Sequence, residues 1–185
     1  MFRNLVLALV AWALLALPVY AQDSDKSDSF DVKSNLGDLH MGKDANAQKA
    51  GLPVYPGAHP QRDDNNDPLN FGILTESFGM KLIVAKYESN DPGEKILAFY
   101  REKMKKYGKV LECHNTGDHN DSNSNDDKDI NRPLKCEGDN SGPVRELKVG
   151  TEGNAHIVAI ESEEAGKGTT FTIVYLRRRG KTGDI

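Results

Sequence analysis

A chain of 185 residues with 28 acidic and 24 basic side chains carries a formal net charge of −4, and 37% of its residues are hydrophobic. That balance excludes a dedicated nucleic-acid binder, whose surface must be basic enough to neutralise phosphates. The composition also excludes collagen-like, coiled-coil and multi-span membrane architectures, and fits one domain with polar trimmings.

The chain opens with Arg3, an apolar run over residues 5–17, Pro18 and then Val19-Tyr20-Ala21. A short positive region, an apolar stretch and small or tolerated residues at the positions a peptidase reads predict a signal peptide over residues 1–21, with Gln22 as the mature start. The 13 residues of the run fall short of the roughly 20 that a membrane-crossing helix needs. No Cys stands at the cleavage point to take a lipid. The expectation is an exported protein, periplasmic or secreted, without a stable membrane anchor after cleavage.

Residues 22–47 read as a flexible mature N-terminal segment, within which 30–32 and 36–41 can form a short strand pair around Ser34-Asn35. A single domain is expected over 48–179, followed by a polar tail at 180–185. Residues 45–50 suit a helical turn stopped by Gly51. Leu52-Pro53-Val54-Tyr55-Pro56-Gly57-Ala58 then runs extended into a turn, because each proline drives its predecessor out of helical geometry. Two strands follow at 71–75 and 80–87, turning near Ser77 and Gly79, and the unbroken apolar run 82–85 predicts cover on both faces.

A helix is predicted over 92–107. Asp91 is the expected N-cap, Pro92 suits the first helical position and Glu94 completes a capping-box-like pattern. Ile96, Leu97, Tyr100, Met104 and Tyr107 form the apolar stripe, and Lys103, Lys105 and Lys106 crowd the end that the helix dipole favours for cations. Gly108 stops it. Residues 109–113 read as a strand with 133–136 as its partner, 144–149 as a further strand, and 156–161 and 169–176 as a pair turning at Gly166-Lys167-Gly168. In the last of these Phe171, Ile173 and Tyr175 alternate with Thr170, Thr172 and Val174. The predicted class is α+β, a mainly antiparallel sheet packed by one principal helix, with a polar loop flanked by cysteines.

The Pro-Val-Tyr-Pro-Gly-Ala segment at 53–58, together with the helix opening Asp91-Pro92-Gly93-Glu94-Lys95 and continuing to Phe99-Tyr100, resembles a group of uncharacterised exported bacterial proteins. They share this segment and a helix beginning Asp-Pro/Ser-x-Glu-Lys. The resemblance implies export and an α+β architecture. The group has no assigned activity, so it implies no site residues.

In an oxidising compartment Cys113 and Cys136, the only two cysteines, are expected to form a disulfide. The segment between them is rich in Asn, Asp and Ser and cannot bury enough surface to order itself. Read as a calcium loop, it places Asp121, Asn123 and Asn125 at ligand positions one, three and five, but Asp126 stands where the turn needs Gly and Arg132 where a bidentate Glu is needed. Read as a zinc site, it offers His114 and His119 beside the cysteines, whose oxidation would remove two ligands. His40, His59 and His156 are scattered through the chain. No G-x-S-x-G, H-E-x-x-H or phosphate-loop motif occurs, so no catalytic residue and no cofactor is expected. Arg177-Arg178-Arg179 could touch anionic lipid or polysaccharide. As structure, they read as part of a frayed terminus.

These observations favour a non-enzymatic binding or scaffolding module of the cell envelope, with an unknown envelope partner or ligand. The alternative is a small exported enzyme or metal-binding protein that uses the loop between Cys113 and Cys136.

Overall fold

Every described strand finds an antiparallel neighbour, and a connection that cannot be a hairpin becomes the helix. The computed structural model describes residues 29–61, 67–115, 129–136, 138, 140–164 and 168–180, the side chains of 161–164 excepted. Its strands are β1 (Ser29–Ser34), β2 (Gly37–Gly42), β3 (His59–Pro60), β4 (Leu69–Thr75) and β5 (Gly79–Ser89), followed by β6 (Leu111–Asn115), β7 (Val144–Thr151), β8 (Asn154–Glu164) and β9 (Gly168–Arg179). Helix α1 (Gly93–Met104) continues into one 3-10 turn at Lys105–Tyr107.

The sheet runs β1-β2-β4-β5-β9-β8-β7-β6, with β3 paired to the end of β5. All the pairings are antiparallel. Strands β5 and β6 consequently point the same way with β9, β8 and β7 between them. A connection between parallel strands has to cross the sheet face, and α1 makes that crossing.

The helix stripe lands where its apolar spacing requires. Ile96, Leu97, Tyr100 and Met104 are fully buried, in one core with Ile83, Tyr87, Leu147, Val149, Val158, Phe171 and Ile173 of the sheet. Phe171 is its centre, with Tyr87 stacked at 5.6 Å, Tyr100 at 5.7 Å and Tyr55 edge-on at 6.4 Å. Arg145 of β7 reaches both Glu94 of α1 and, at 3.1 Å, Glu112 of β6, which Arg101 also holds at 2.5 Å. Arg101 and Arg145 keep the Glu112 carboxyl below the ordinary carboxylate range.

The 45–58 segment is tied on by tyrosine hydroxyls. Tyr87 accepts the Ala47 amide at 2.9 Å. The Tyr100 hydroxyl accepts the Tyr55 amide at 3.1 Å and donates to the Pro53 carbonyl at 3.2 Å. Tyr107 donates to the Gly51 carbonyl at 2.6 Å, and a Cβ at position 51, where φ is +77°, would sit 2.4 Å from that hydroxyl. Gly51 is therefore required. Tyr100→Phe is expected to cost about 1–2 kcal/mol in urea unfolding, because it strands a buried amide and a carbonyl together. An unchanged midpoint would show that the strap does not depend on this hydroxyl.

Several expectations are met. The strand pair around Ser34-Asn35 forms, and through β2 and β4 it extends the sheet to the N-terminal side of residue 48. The turn at 45–50, the predicted strands of residues 71–75, 80–87, 144–149, 156–161 and 169–176, and the helix all form.

Others are corrected. Asp91 does not cap α1: Pro92 holds the cap position without a side-chain bond, while the Asp91 carboxylate accepts from the Tyr55 hydroxyl at 2.9 Å and from Lys95 at 2.8 Å. Glu94 turns to Arg145 instead of back to the cap. Residues 133–136 are not the partner of β6, which pairs with β7; they lie against the end of β7, through an isolated bridge from Pro133 to Thr151 and the Leu134 amide donating to the Gly150 carbonyl at 3.3 Å. Residues 82–85 are not equally covered on two sides. Ile83 and Ala85 are buried under α1, while Leu82 and Val84 are half-buried on the opposite face. One helix layer covers one face.

Candidate functional site

Register decides which side chains meet on this sheet. Directly paired residues share a face, so Asp31, His40, Gly72, Lys81 and Arg177 form one row across β1, β2, β4, β5 and β9. Lys33, Asp38, Leu74, Gly79 and Arg179 form the next. Both lie on the α1 face, beyond the row in which Ile83, Tyr175 and His156 pair. Tyr107 ends the helix by stacking on His156 at 3.8 Å. Past this stack the two rows line an open groove of about 710 Å³.

Its floor is low because two of the central positions have no side chain. A Cβ added at Gly72 would come no closer than 3.8 Å to any neighbour, so that space is open to a ligand. The β1–β2 wall carries Asp31 and Asp38, and the opposite wall carries Lys81, Arg177 and Arg179. The Asp31 carboxylate holds the His40 ring at Nδ1, 2.7 Å away. Arg179 donates to the Thr75 carbonyl at 2.9 Å. The side chains of Lys81 and Arg177 are both exposed and make no hydrogen bond or ion pair among the described residues. They are direct cross-strand partners. Two like charges facing each other across a ladder are unfavourable by several tenths of a kcal/mol. An anion between them would remove that repulsion.

The residues singled out in the sequence fare differently. Cys113 and Cys136 are bridged, with Cα atoms 5.3 Å apart. The bridge consumes both thiolates of the zinc reading. His114 follows Cys113 along β6 and so points to the opposite face; its amide donates to Asn140 Oδ1 at 2.6 Å. His119, Asp121, Asn123 and Asn125 lie outside the described residues. Among the described residues, no group of three or more His, Cys, Asp or Glu is placed to hold a metal ion. Arg177, Arg178 and Arg179 are not a frayed terminus: all are in β9, paired with Lys81, Met80 and Gly79.

Two arrangements had no signal in the sequence. His156 is buried between Tyr107 and Tyr175, and burial, aided by nearby Lys106, lowers its pKa to about 4. Glu146 and Lys148 form a 2.6 Å ion pair on the face opposite α1, each only 3% exposed.

Among the described residues, no helix is long and apolar enough to cross a membrane. No family model, curated protein or solved structure matches the chain.

Proposed function

We propose that the protein is an exported, non-enzymatic binding module of the cell envelope whose groove takes a ligand bearing an anionic group. The observation that carries this reading is the facing pair Lys81 and Arg177, exposed and unpaired beside the open floor at Gly72. Their charges and that space suit a sulfate, phosphate or carboxylate, held by charge-assisted hydrogen bonds. Export rests on the pattern of residues 1–21 and on a bridge of the kind that persists in oxidising compartments.

The test is calorimetric titration of the chain beginning at Gln22 with a heparin-type sulfated oligosaccharide and with neutral dextran. Binding of the sulfated probe alone is expected, weakening with salt. Lys81→Glu should weaken it about tenfold, roughly the loss of one charged hydrogen bond. The same variant should unfold at slightly higher urea, since an attraction to Arg177 replaces a repulsion. Equal affinity of parent and variant, or equal binding of dextran, would end this reading.

A further inference from the structure

Strand β1 is the outermost strand of the described sheet. Its hairpin to β2 has the two-residue loop Asn35-Leu36, so the closing pair Ser34 and Gly37 exchanges both backbone bonds. Counting back by twos, Val32 and Phe30 also bond inward to β2. The amide and carbonyl groups of Asp31 and Lys33 therefore point outward, where no described strand meets them.

The same hairpin concentrates exposed apolar surface. Phe30 is 59% exposed, Val32 40%, Leu36 86% and Met41 48%. Phe30 and Met41 are direct partners and continue, through Phe71 and Leu82 to Leu176, an apolar row on the face opposite α1. Natural edge strands ordinarily carry charges that repel a second copy. Asp31 and Lys33 do the reverse. They flank Val32 with opposite signs, a pattern complementary to itself when reversed.

We propose that β1 is a dimer seam, on which a second copy of this chain pairs antiparallel about a two-fold axis through Val32. In that register Asp31 faces the partner subunit's Lys33, and Lys33 faces the partner subunit's Asp31. These are the residues whose backbone groups point outward. The pairing is isologous and closes on itself, so it ends at two copies. It abuts the exposed apolar rows of both copies and leaves no open edge at β1. Because Asp31 and Lys33 also line the groove, the grooves of the two copies come to lie side by side across the axis. The seam does not depend on what the groove binds.

Sedimentation equilibrium of the chain beginning at Gln22, without any polyanion, tests it. A reversible monomer–dimer equilibrium is expected. Asp31→Lys should raise the dimer dissociation constant tenfold or more, because lysine then opposes lysine at both symmetric pairs. The double variant Asp31→Lys/Lys33→Asp should restore it. Lys33→Pro removes an outward amide and leaves the β1–β2 bonds in place, so it should give a monomer with an unchanged circular dichroism spectrum. A parent chain that stays monomeric at every concentration overturns the proposal. So does a dimer that neither Asp31→Lys nor its reversal by the double variant affects, whatever Lys33→Pro does to folding.

Discussion

Reducing the Cys113–Cys136 bridge is expected to lower the free energy of unfolding by about 3 kcal/mol. The two cysteines are 23 positions apart, and closing a loop of that length removes this much chain entropy from the unfolded ensemble. The bridge also fastens the end of a segment whose earlier residues are held to the β7–β8 turn by backbone bonds joining Ile130 to Gly153, Arg132 to Glu152 and Leu134 to Gly150. Of residues 133–136, only Pro133 makes a strand-type bridge, to Thr151. Cys113 itself is fully buried on β6, the strand at the far edge of the sheet. Cys136→Ala is the cleaner variant, since it leaves a buried thiol that behaves as a small hydrophobe. Cys113→Ser should lose more, because it places a hydroxyl where no water reaches. Urea unfolding with and without reductant measures the effect, and coincident curves would show that the bridge does not stabilise the fold.

Acid should destabilise the protein through His156. In the folded state its pKa is about 4, against 6.5 for an ordinary histidine, chiefly because burial disfavours the imidazolium. Between those values the unfolded chain binds the proton and the folded chain does not, so stability rises with pH across this window. The contribution is fully present above pH 6.5 and is lost as pH falls toward 4, a change of roughly 3 kcal/mol at most. Carboxylates held low by cations, such as Glu112 beside Arg101, lose their contribution at more acid pH. His156→Phe preserves a ring between Tyr107 and Tyr175, and it should flatten the pH dependence between 4 and 6.5. A variant whose urea midpoint still falls as steeply as the parent's over that range would remove His156 as the cause.

Local signals in the sequence reached as far as local physics decides the outcome. The stripe of Ile96, Leu97, Tyr100 and Met104 is an i, i+3, i+4 pattern that only a helix on an apolar surface satisfies, and the alternation of Phe171, Ile173 and Tyr175 needs only a strand. Asp91 shows the limit. Its position before Pro92 favours a cap, but the Tyr55 hydroxyl, 36 residues away, and Lys95 compete for the same carboxylate. The strand expected at 109–113 forms two residues later, at 111–115, and its partner was not legible, because pairing with β7 instead of 133–136 depends on where the whole 144–164 hairpin lies. The groove was invisible for the same reason. Lys81 and Arg177 meet only through the β5–β9 register, and nothing near either residue announces the other. Arg177 to Arg179 read as a loose end because charged residues near a terminus are cheap to solvate. The length of β5 holds them in the sheet.

The place of β9 has a consequence for how the protein is made. The last described strand lies in the middle of the sheet, between β5 and β8, and supplies Phe171 and Ile173 to the core beneath α1. Until it leaves the ribosome, β1 to β5 and β6 to β8 are two ribbons not yet paired to each other, and the core beneath α1 has the Leu147, Val149 and Val158 side but lacks Phe171 and Ile173. Folding is then dominated by contacts between distant parts of the chain, a topology that closes late and slowly. Chains halted before Gly168 should be protease-sensitive throughout.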